Sequence, residues 1–217
     1  MTDSRPTYED ERTAICDYGR SLLEDDLTTG TGGNLSVRLG PDRIAISPSG
    51  VPYDEVHPED VPVVDTDGTV LAGDLDPSTE LPMHLAVYAE RPEVGGVVHT
   101  HSPYATTFAS LGEAIPASHY LLSFTGSEVP VAEYRTHATT DLGEAAVDAL
   151  GSEYNATLLR NHGVLTADES LEDAYTVALM VEYCARIHYQ ARAIGEPEIL
   201  PDEEVDRLSR KLDEYGQ

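Results

Sequence analysis

Lysine is almost missing from this sequence: Lys211 is the only one in 217 residues. It sits in SRKLDEY, whose charge pattern is that of a solvated helix face, so no buried amine is on offer for Schiff-base chemistry. Cysteine is nearly as scarce. Cys16 and Cys184 fall in apparently helical segments with no CxxC spacing. That excludes a disulfide framework or a thiolate zinc site and leaves histidine and carboxylate as the groups able to hold a metal. No apolar run approaches the ~20 residues of a membrane span, and the opening MTDSRPTYEDE has neither the basic nor the apolar region of a signal peptide. The expected setting is the cytoplasm. No stretch is rich enough in Gly, Ser and Pro to act as a linker and no repeat is visible, so residues 1–217 read as a single domain. Nor does a glycine-rich dinucleotide fingerprint follow any strand.

Positive charge is also in short supply. Forty acidic residues stand against thirteen basic ones, a net charge of -27. Such a field repels DNA, RNA and anionic lipid, so no nucleic-acid or membrane partner is expected. The acids are scattered rather than gathered in a tail. A plain solvated surface has this look, and so does a surface adapted to high salt, where self-repulsion is screened; the second reading is favoured.

Apolar residues recur at helical spacing from about Tyr8 to Leu27, until the glycines of TTGTGGN. NLSVRL, DRIAISP and VPVVDTDGTVLA follow as short alternating runs with Gly, Pro and Asp-Gly punctuation, the pattern of antiparallel strands joined by tight turns. Pro77, Ser78 and Thr79 mark a helix boundary, with Glu80 in the first turn and the helix reaching about Glu90. GGVVHTH reads as a buried strand and PYATTFASL as a short helix opening on a proline. A helix near Asp141 to Leu150, a strand ATLLRNH, a long helix from Leu171 to about Ala193 and a last helix from Asp202 to Tyr215 complete the chain. The fold class is α/β: a central mixed, largely antiparallel sheet covered by helices, a sandwich in one domain.

Chemistry concentrates at His99-Thr100-His101, because residues two apart on a strand point to one face and can meet one ion. An HxH by itself is an ordinary pair of core or surface histidines. The balance shifts because His162 ends a second apolar strand, LLRNH, and because Glu80 stands at a helix start. Three imidazoles with a fourth position open is catalytic rather than structural metal geometry. Glu80 suits either a fourth ligand or the base that removes a proton next to a carbonyl, although helix-dipole preference alone also places Glu there. Gly30-Thr31-Gly32-Gly33-Asn34, Ser47-Pro48-Ser49-Gly50 and Ser78-Thr79 are each ordinary turns or caps taken singly. Together, beside a metal, they form an anion cradle that needs no lysine.

GTGGNLSVRL, SPSGVPY, PSTE, VVHTHSPYAT, His119-Tyr120 and LLRNHGVLTA stand in the order and spacing of the class II aldolase/adducin family. Over nearly its whole length the chain resembles that family, its L-fuculose-1-phosphate aldolase branch above all. The resemblance implies a lyase that reversibly cleaves a ketose 1-phosphate such as L-fuculose 1-phosphate into dihydroxyacetone phosphate and lactaldehyde. It implies Zn2+, with Mn2+ or Co2+ as substitutes, on His99, His101 and His162, and Glu80 as ligand at rest and acid/base once substrate displaces it. Asn34, Ser49, Gly50, Ser78 and Thr79 would hold the phosphate, with the Gly33 amide and the Asn34 side chain near the enediolate. Tyr120 and Tyr215 would be catalytic groups reaching into a neighbouring subunit's site, in a homotetramer with active sites between subunits. His137 stands where the aldolase has an aromatic residue in the aldehyde pocket, which leaves the aldehyde open. L-ribulose-5-phosphate 4-epimerase carries Asp where this chain has Glu80. A methylthioribulose-1-phosphate dehydratase shares the fold, and an adducin-like interaction domain keeps the fold without the metal residues.

Overall fold

The computed structural model describes residues 8–213. Alternation in NLSVR and RIAI produces the first hairpin, in which β1 (Asn34–Arg38) pairs antiparallel with β2 (Arg43–Ile46). A second hairpin of β3 (Val63–Asp65) and β4 (Val70–Ala72) extends it, turning at Asp67-Gly68. On the other side of β1 lies β5 (Gly96–Thr100), followed by β10 (Gly163–Asp168) and β9 (Ala156–Leu159), all antiparallel. Among the described residues, only the pairing of β9 with the short edge strand β8 (Val131–Ala132) is parallel. The eight-stranded order is β4-β3-β2-β1-β5-β10-β9-β8, a mixed and largely antiparallel sheet as the sequence predicts. A separate pair, β6 (Ile115–Pro116) with β7 (Glu128–Val129), lies outside it.

Helices cover both faces. α2 (Leu81–Glu90) and α4 (Thr140–Leu150) pack on one, where Met83, Val87, Leu142 and Leu150 bury Ile46, Val97 and Leu165. α1 (Glu9–Glu24) and α5 (Leu171–Ile194) cover the other, Ile15, Leu22, Ala174 and Ala178 lying on Leu35 and Val98. α3 (Pro103–Leu111) and α5 enclose Leu158 and Val164 through Phe108, Val177 and Val181. α6 (Asp202–Asp213) adds Val205 to that cluster. Each fully buried Leu or Val here contributes roughly 1.5–3 kcal/mol by transfer from water. Among the described residues no helix is long and apolar enough to cross a membrane.

Four boundaries differ from the sequence expectation. α1 stops at Glu24 rather than Leu27, because Asp26 is left-handed (φ 57) and the Leu27 and Thr28 N–H groups turn back to the Leu22 carbonyl. β9 stops at Leu159, short of His162. Asn161 adopts φ 56, which closes a tight turn and starts β10, a strand the sequence reading passed over. His101 lies just beyond β5, its N–H donating to the Leu27 carbonyl at 3.1 Å instead of to a neighbouring strand. Glu80 is the N-cap residue of α2, not part of its first turn.

Candidate active site

His99 sits on β5 in the middle of the sheet, directly opposite Asn34 on β1 and Leu165 on β10. Opposed residues of antiparallel strands project to the same face, so the Asn34 side chain is a neighbour of the His99 ring. His101 arrives from the segment after the strand, and His162 from the β9–β10 turn, where its N–H donates to the Leu159 carbonyl at 3.0 Å. The rings converge: centroids lie 4.8 Å apart for His99 and His101, 4.8 Å for His99 and His162, and 5.3 Å for His101 and His162. One nitrogen from each lies within 4.8 Å of the others. His99 Nδ1 donates to the Val164 carbonyl at 2.7 Å, which turns Nε2 toward the other rings and Glu80, 3.0 Å from His101 Nε2. A backbone carbonyl in that position fixes both the tautomer and the ring orientation, as it does for metal-binding histidines generally.

Glu80, buried at 7 % exposure, closes the group. Its Oε2 is 3.1 Å from His99 Nε2 and its Oε1 3.4 Å from His162 Nε2. Asn34 Nδ2 donates to Oε2 at 2.9 Å. Burial pushes this carboxyl up, but the charge and hydrogen bond of His99, the Asn34 hydrogen bond and the charge of His162 outweigh it and hold Glu80 well below the usual carboxylate range. Burial and then the nearby His99 push His101 and His162 down to about 4. Neutral His101 and His162 beside an ionised Glu80 are in the protonation state in which such groups bind a metal.

The donor set fits a divalent cation. Glu80 Oε1 is buried without any hydrogen-bond partner, as is His162 Nδ1, and a cation between the rings would satisfy the carboxylate oxygen. Backbone is kept clear for the rings. A Cβ at Gly163 would come within 2.9 Å of His101 Cδ2 and 3.1 Å of His99 Cε1, and one at Gly33 (φ +72) within 2.8 Å of the His99 carbonyl. Three imidazole nitrogens with one carboxylate oxygen beside them are a donor set suited to a divalent cation.

The three turns singled out in the sequence lie side by side. Ser47 N–H donates to the Leu35 carbonyl at 2.9 Å, Ser78 N–H to the Ser47 carbonyl at 3.0 Å, and Ser49 N–H to the Asp76 carbonyl at 2.9 Å. Pro48 and Pro77 form an isolated antiparallel bridge. Ser78 is buried, its Oγ accepting from the Glu80 N–H at 3.2 Å, Ser49 is half-buried, and Gly50 and Thr79 are exposed. The Gly33 carbonyl accepts from the Tyr53 hydroxyl at 3.0 Å.

Not every expected residue joins the cluster. Tyr120 is 49 % exposed and stacks on His119 at 4.9 Å, and no hydrogen bond or ring contact joins it to Glu80 or the three histidines among the described residues. Tyr215 lies outside the described residues. His137 is exposed yet near enough to His162 to help depress that ring. Conversely, the sequence reading missed His84, Ser36 and Tyr88. His84 is fully buried, with Nε2 2.5 Å from Asn34 Oδ1 and Nδ1 2.6 Å from Ser36 Oγ, and Ser36 Oγ is 2.9 Å from Tyr88 Oη. The signal was there as spacing: Glu80, His84 and Tyr88 are four apart, and Asn34 and Ser36 two apart.

Residues 13–189 match the family model of the class II aldolase and adducin N-terminal domain. The chain is 45% identical to the 5-deoxy-D-ribulose 1-phosphate aldolase of Bacillus thuringiensis serovar kurstaki, over 95% of this chain and 97% of that protein. It is 38% identical to the 5-methylthioribulose-1-phosphate/5-deoxyribulose-1-phosphate aldolase of Rhodospirillum rubrum, over 94% and 92%. A solved L-fuculose 1-phosphate aldolase superposes with a TM-score of 0.90 at 41% identity, covering 94% of this chain and 96% of that one. With the motif order, the sheet topology and the histidine cluster in agreement with these likenesses, the chain belongs to the class II aldolase and adducin family.

Proposed function

We propose that the protein is a metal-dependent aldolase that splits a methyl-ended ketose 1-phosphate into dihydroxyacetone phosphate and a small aldehyde. The observation that carries this reading is the convergence of three imidazoles on a buried, ionised Glu80, in a chain whose single lysine is exposed on α6. The substrate placed first is 5-deoxyribulose 1-phosphate, named for the 45% identical relative, which on cleavage gives acetaldehyde. L-fuculose 1-phosphate, to which the motifs pointed, moves to second place. The two esters share the phosphate end and the terminal methyl and differ by one hydroxyl-bearing carbon. The relatives above are named as aldolases, which supports cleavage over epimerisation or dehydration, and the intact metal cluster opposes a purely adducin-like binding role.

Ser49, Gly50, Ser78 and Thr79, with Asn34, are assigned the phosphate, which backbone N–H groups and hydroxyls hold without a cationic side chain. A zinc ion on His99, His101 and His162 supplies Lewis acidity for the negative charge that builds up next to the carbonyl. In the direction of synthesis Glu80 takes a proton from the carbon beside the carbonyl of dihydroxyacetone phosphate. The electron pair left on that carbon forms the bond to the aldehyde carbon, and Tyr120 of a neighbouring subunit gives a proton to the aldehyde oxygen, which becomes the new hydroxyl. The exposure of Tyr120 and the absence, among the described residues, of any hydrogen bond or ring contact to the cluster support the need for a neighbour. A homotetramer, a similar reach for Tyr215, a cytoplasmic setting and a surface suited to high salt belong to the same proposal.

The test is exchange of the dihydroxyacetone phosphate C–H with solvent deuterium, which needs no aldehyde. In zinc-loaded Glu80→Gln the exchange should fall by ~10²–10⁴-fold, the range for a lost general base. Exchange at the wild-type rate would place the base elsewhere.

A further inference from the structure

Two ladders of polar side chains meet beneath the site. On β1, Asn34 and Ser36 stand two apart and so share the face covered by α2. On the helix side Glu80, His84 and Tyr88 recur every fourth residue and share one helix face. Contacts run unbroken between them: Tyr88 Oη to Ser36 Oγ 2.9 Å, Ser36 Oγ to His84 Nδ1 2.6 Å, His84 Nε2 to Asn34 Oδ1 2.5 Å, and Asn34 Nδ2 to Glu80 Oε2 2.9 Å. All five residues are buried, so each link has to be made by a protein partner.

The sense of the chain is set at one end. A carboxylate has no proton to give, so the Asn34 nitrogen faces Glu80 and the Asn34 oxygen faces His84. That oxygen only accepts, so His84 carries its proton on Nε2. Its bare Nδ1 then accepts from Ser36, whose oxygen accepts from Tyr88. In the opposite sense the Asn34 oxygen would lie 2.9 Å from a carboxylate oxygen with no proton between them.

We propose that His84 is a positioning residue for the reaction: as the neutral Nε2–H tautomer, anchored by Ser36 and Tyr88, it locks the Asn34 amide with its NH2 group toward Glu80 and the bound substrate. An amide flip keeps the shape of the side chain and exchanges donor for acceptor, so shape alone does not hold the polarity. Glu80 cannot hold it through turnover either, because its grip on the Asn34 N–H weakens when it takes up the substrate proton. His84 still grips the amide oxygen at that moment. The N–H donors therefore stay aimed at the place where negative charge develops, which is where fixed donors accelerate a reaction.

Two arms test this. In long-range 1H–15N spectra of the metal-free and zinc-loaded protein, the ring assigned to His84 by its disappearance in His84→Gln should be neutral with the proton on Nε2. In kinetics, zinc-loaded His84→Phe should lose ~10–100-fold in kcat, the usual cost of removing the partner that orients a site residue, with little change in KM. His84→Gln, whose amide can donate to the Asn34 oxygen, should recover most of the loss. Ser36→Ala, which keeps the ring but removes its anchor, should fall between. An Nδ1–H tautomer would overturn the proposal. So would a wild-type kcat in folded, metalled His84→Phe, or an absence of rescue by Gln. If His84→Phe does not fold, the tautomer and the Gln and Ala variants decide. The kinetic arm rests on the aldolase reading and the NMR arm does not. A wild type unable to cleave any ketose 1-phosphate would sink that reading while the spectra still decide this one.

Discussion

Two helices lie side by side on the same sheet face with the same four-residue spacing, and they bury opposite kinds of side chain. α4 presents Leu142, Ala146 and Leu150, all buried, in the common apolar cluster. α2 presents Glu80, His84 and Tyr88, equally buried and bound to polar partners on β1. The helix starts differ in the same way. Thr139 caps α4, its Oγ1 accepting from the Leu142 N–H at 3.3 Å and donating to the Thr136 carbonyl at 2.7 Å. Glu80 holds the equivalent position on α2 and makes no capping bond, its carboxylate being drawn to His99, His162 and Asn34. Burial of α4 stabilises the fold directly. Burial of α2's polar stripe does so only while every group keeps its partner, since an orphaned buried polar group costs ~1–3 kcal/mol. The difference assigns stability alone to the α4 stripe and the site to the α2 stripe, while Met83 and Val87 of α2 still belong to the apolar cluster.

That division is most sharply tested at the histidines. His99→Ala, His101→Ala or His162→Ala should remove bound metal and activity together, as read by metal analysis of the purified proteins beside a cleavage assay. Full metal in a triple replacement would put the site elsewhere and dissolve the contrast with α4. On the other helix, Leu150→Ala should cost ~2–5 kcal/mol of unfolding free energy by opening a cavity, yet leave metal content and kcat of the folded protein at the wild-type level. A fall in kcat as large as the loss of stability would show that the two stripes do not act separately.

How much of this was legible depends on what each signal reports. Alternation and turn residues located β1 to β5 because those strands are bounded by Gly, Pro and Asp-Gly, and the helical period located α2, α4 and α5 to within a few residues. β10 was passed over because the strand was read as ending at His162, whereas Gly163 opens a second strand, at a position where a Cβ would run into the Thr100 carbonyl and meet the His101 ring at 2.9 Å. The two-residue spacing of His99 and His101 led to the correct cluster by an incomplete route, since His101 lies past the end of β5 and is aimed by its bond to the Leu27 carbonyl. His84 was missed for another reason, although its spacing from Glu80 and Tyr88 was there. A lone histidine inside an amphipathic helix is by default a core residue, and only the packing of α2 on β1, which no local pattern contains, brings Asn34 and Ser36 against it. Tyr120 is proposed to act in a neighbouring subunit's site, a contact that neither the sequence period nor the fold of a single subunit contains.

The smallest expected effect is also the cleanest separation of the two helix starts. Thr139 supplies one hydroxyl that accepts from the Leu142 N–H, so Thr139→Ala removes a cap and leaves that donor to solvent, a loss of about 1 kcal/mol. For a chain of this size that corresponds to a fall in Tm of ~2–4 °C. The residue touches neither the histidines nor the polar ladder, so zinc content, KM and kcat should stay at wild-type values. The denaturant midpoint should move while the slope m stays fixed, which marks a change of stability rather than of the unfolded state. Glu80→Gln, at the corresponding position of α2, should behave in the reverse manner: it removes no cap, and its loss should appear in the C–H exchange rate far more than in Tm. If Thr139→Ala instead lowered kcat at constant zinc occupancy, α4 would be coupled to the site, and stability and chemistry would no longer divide between the two helices.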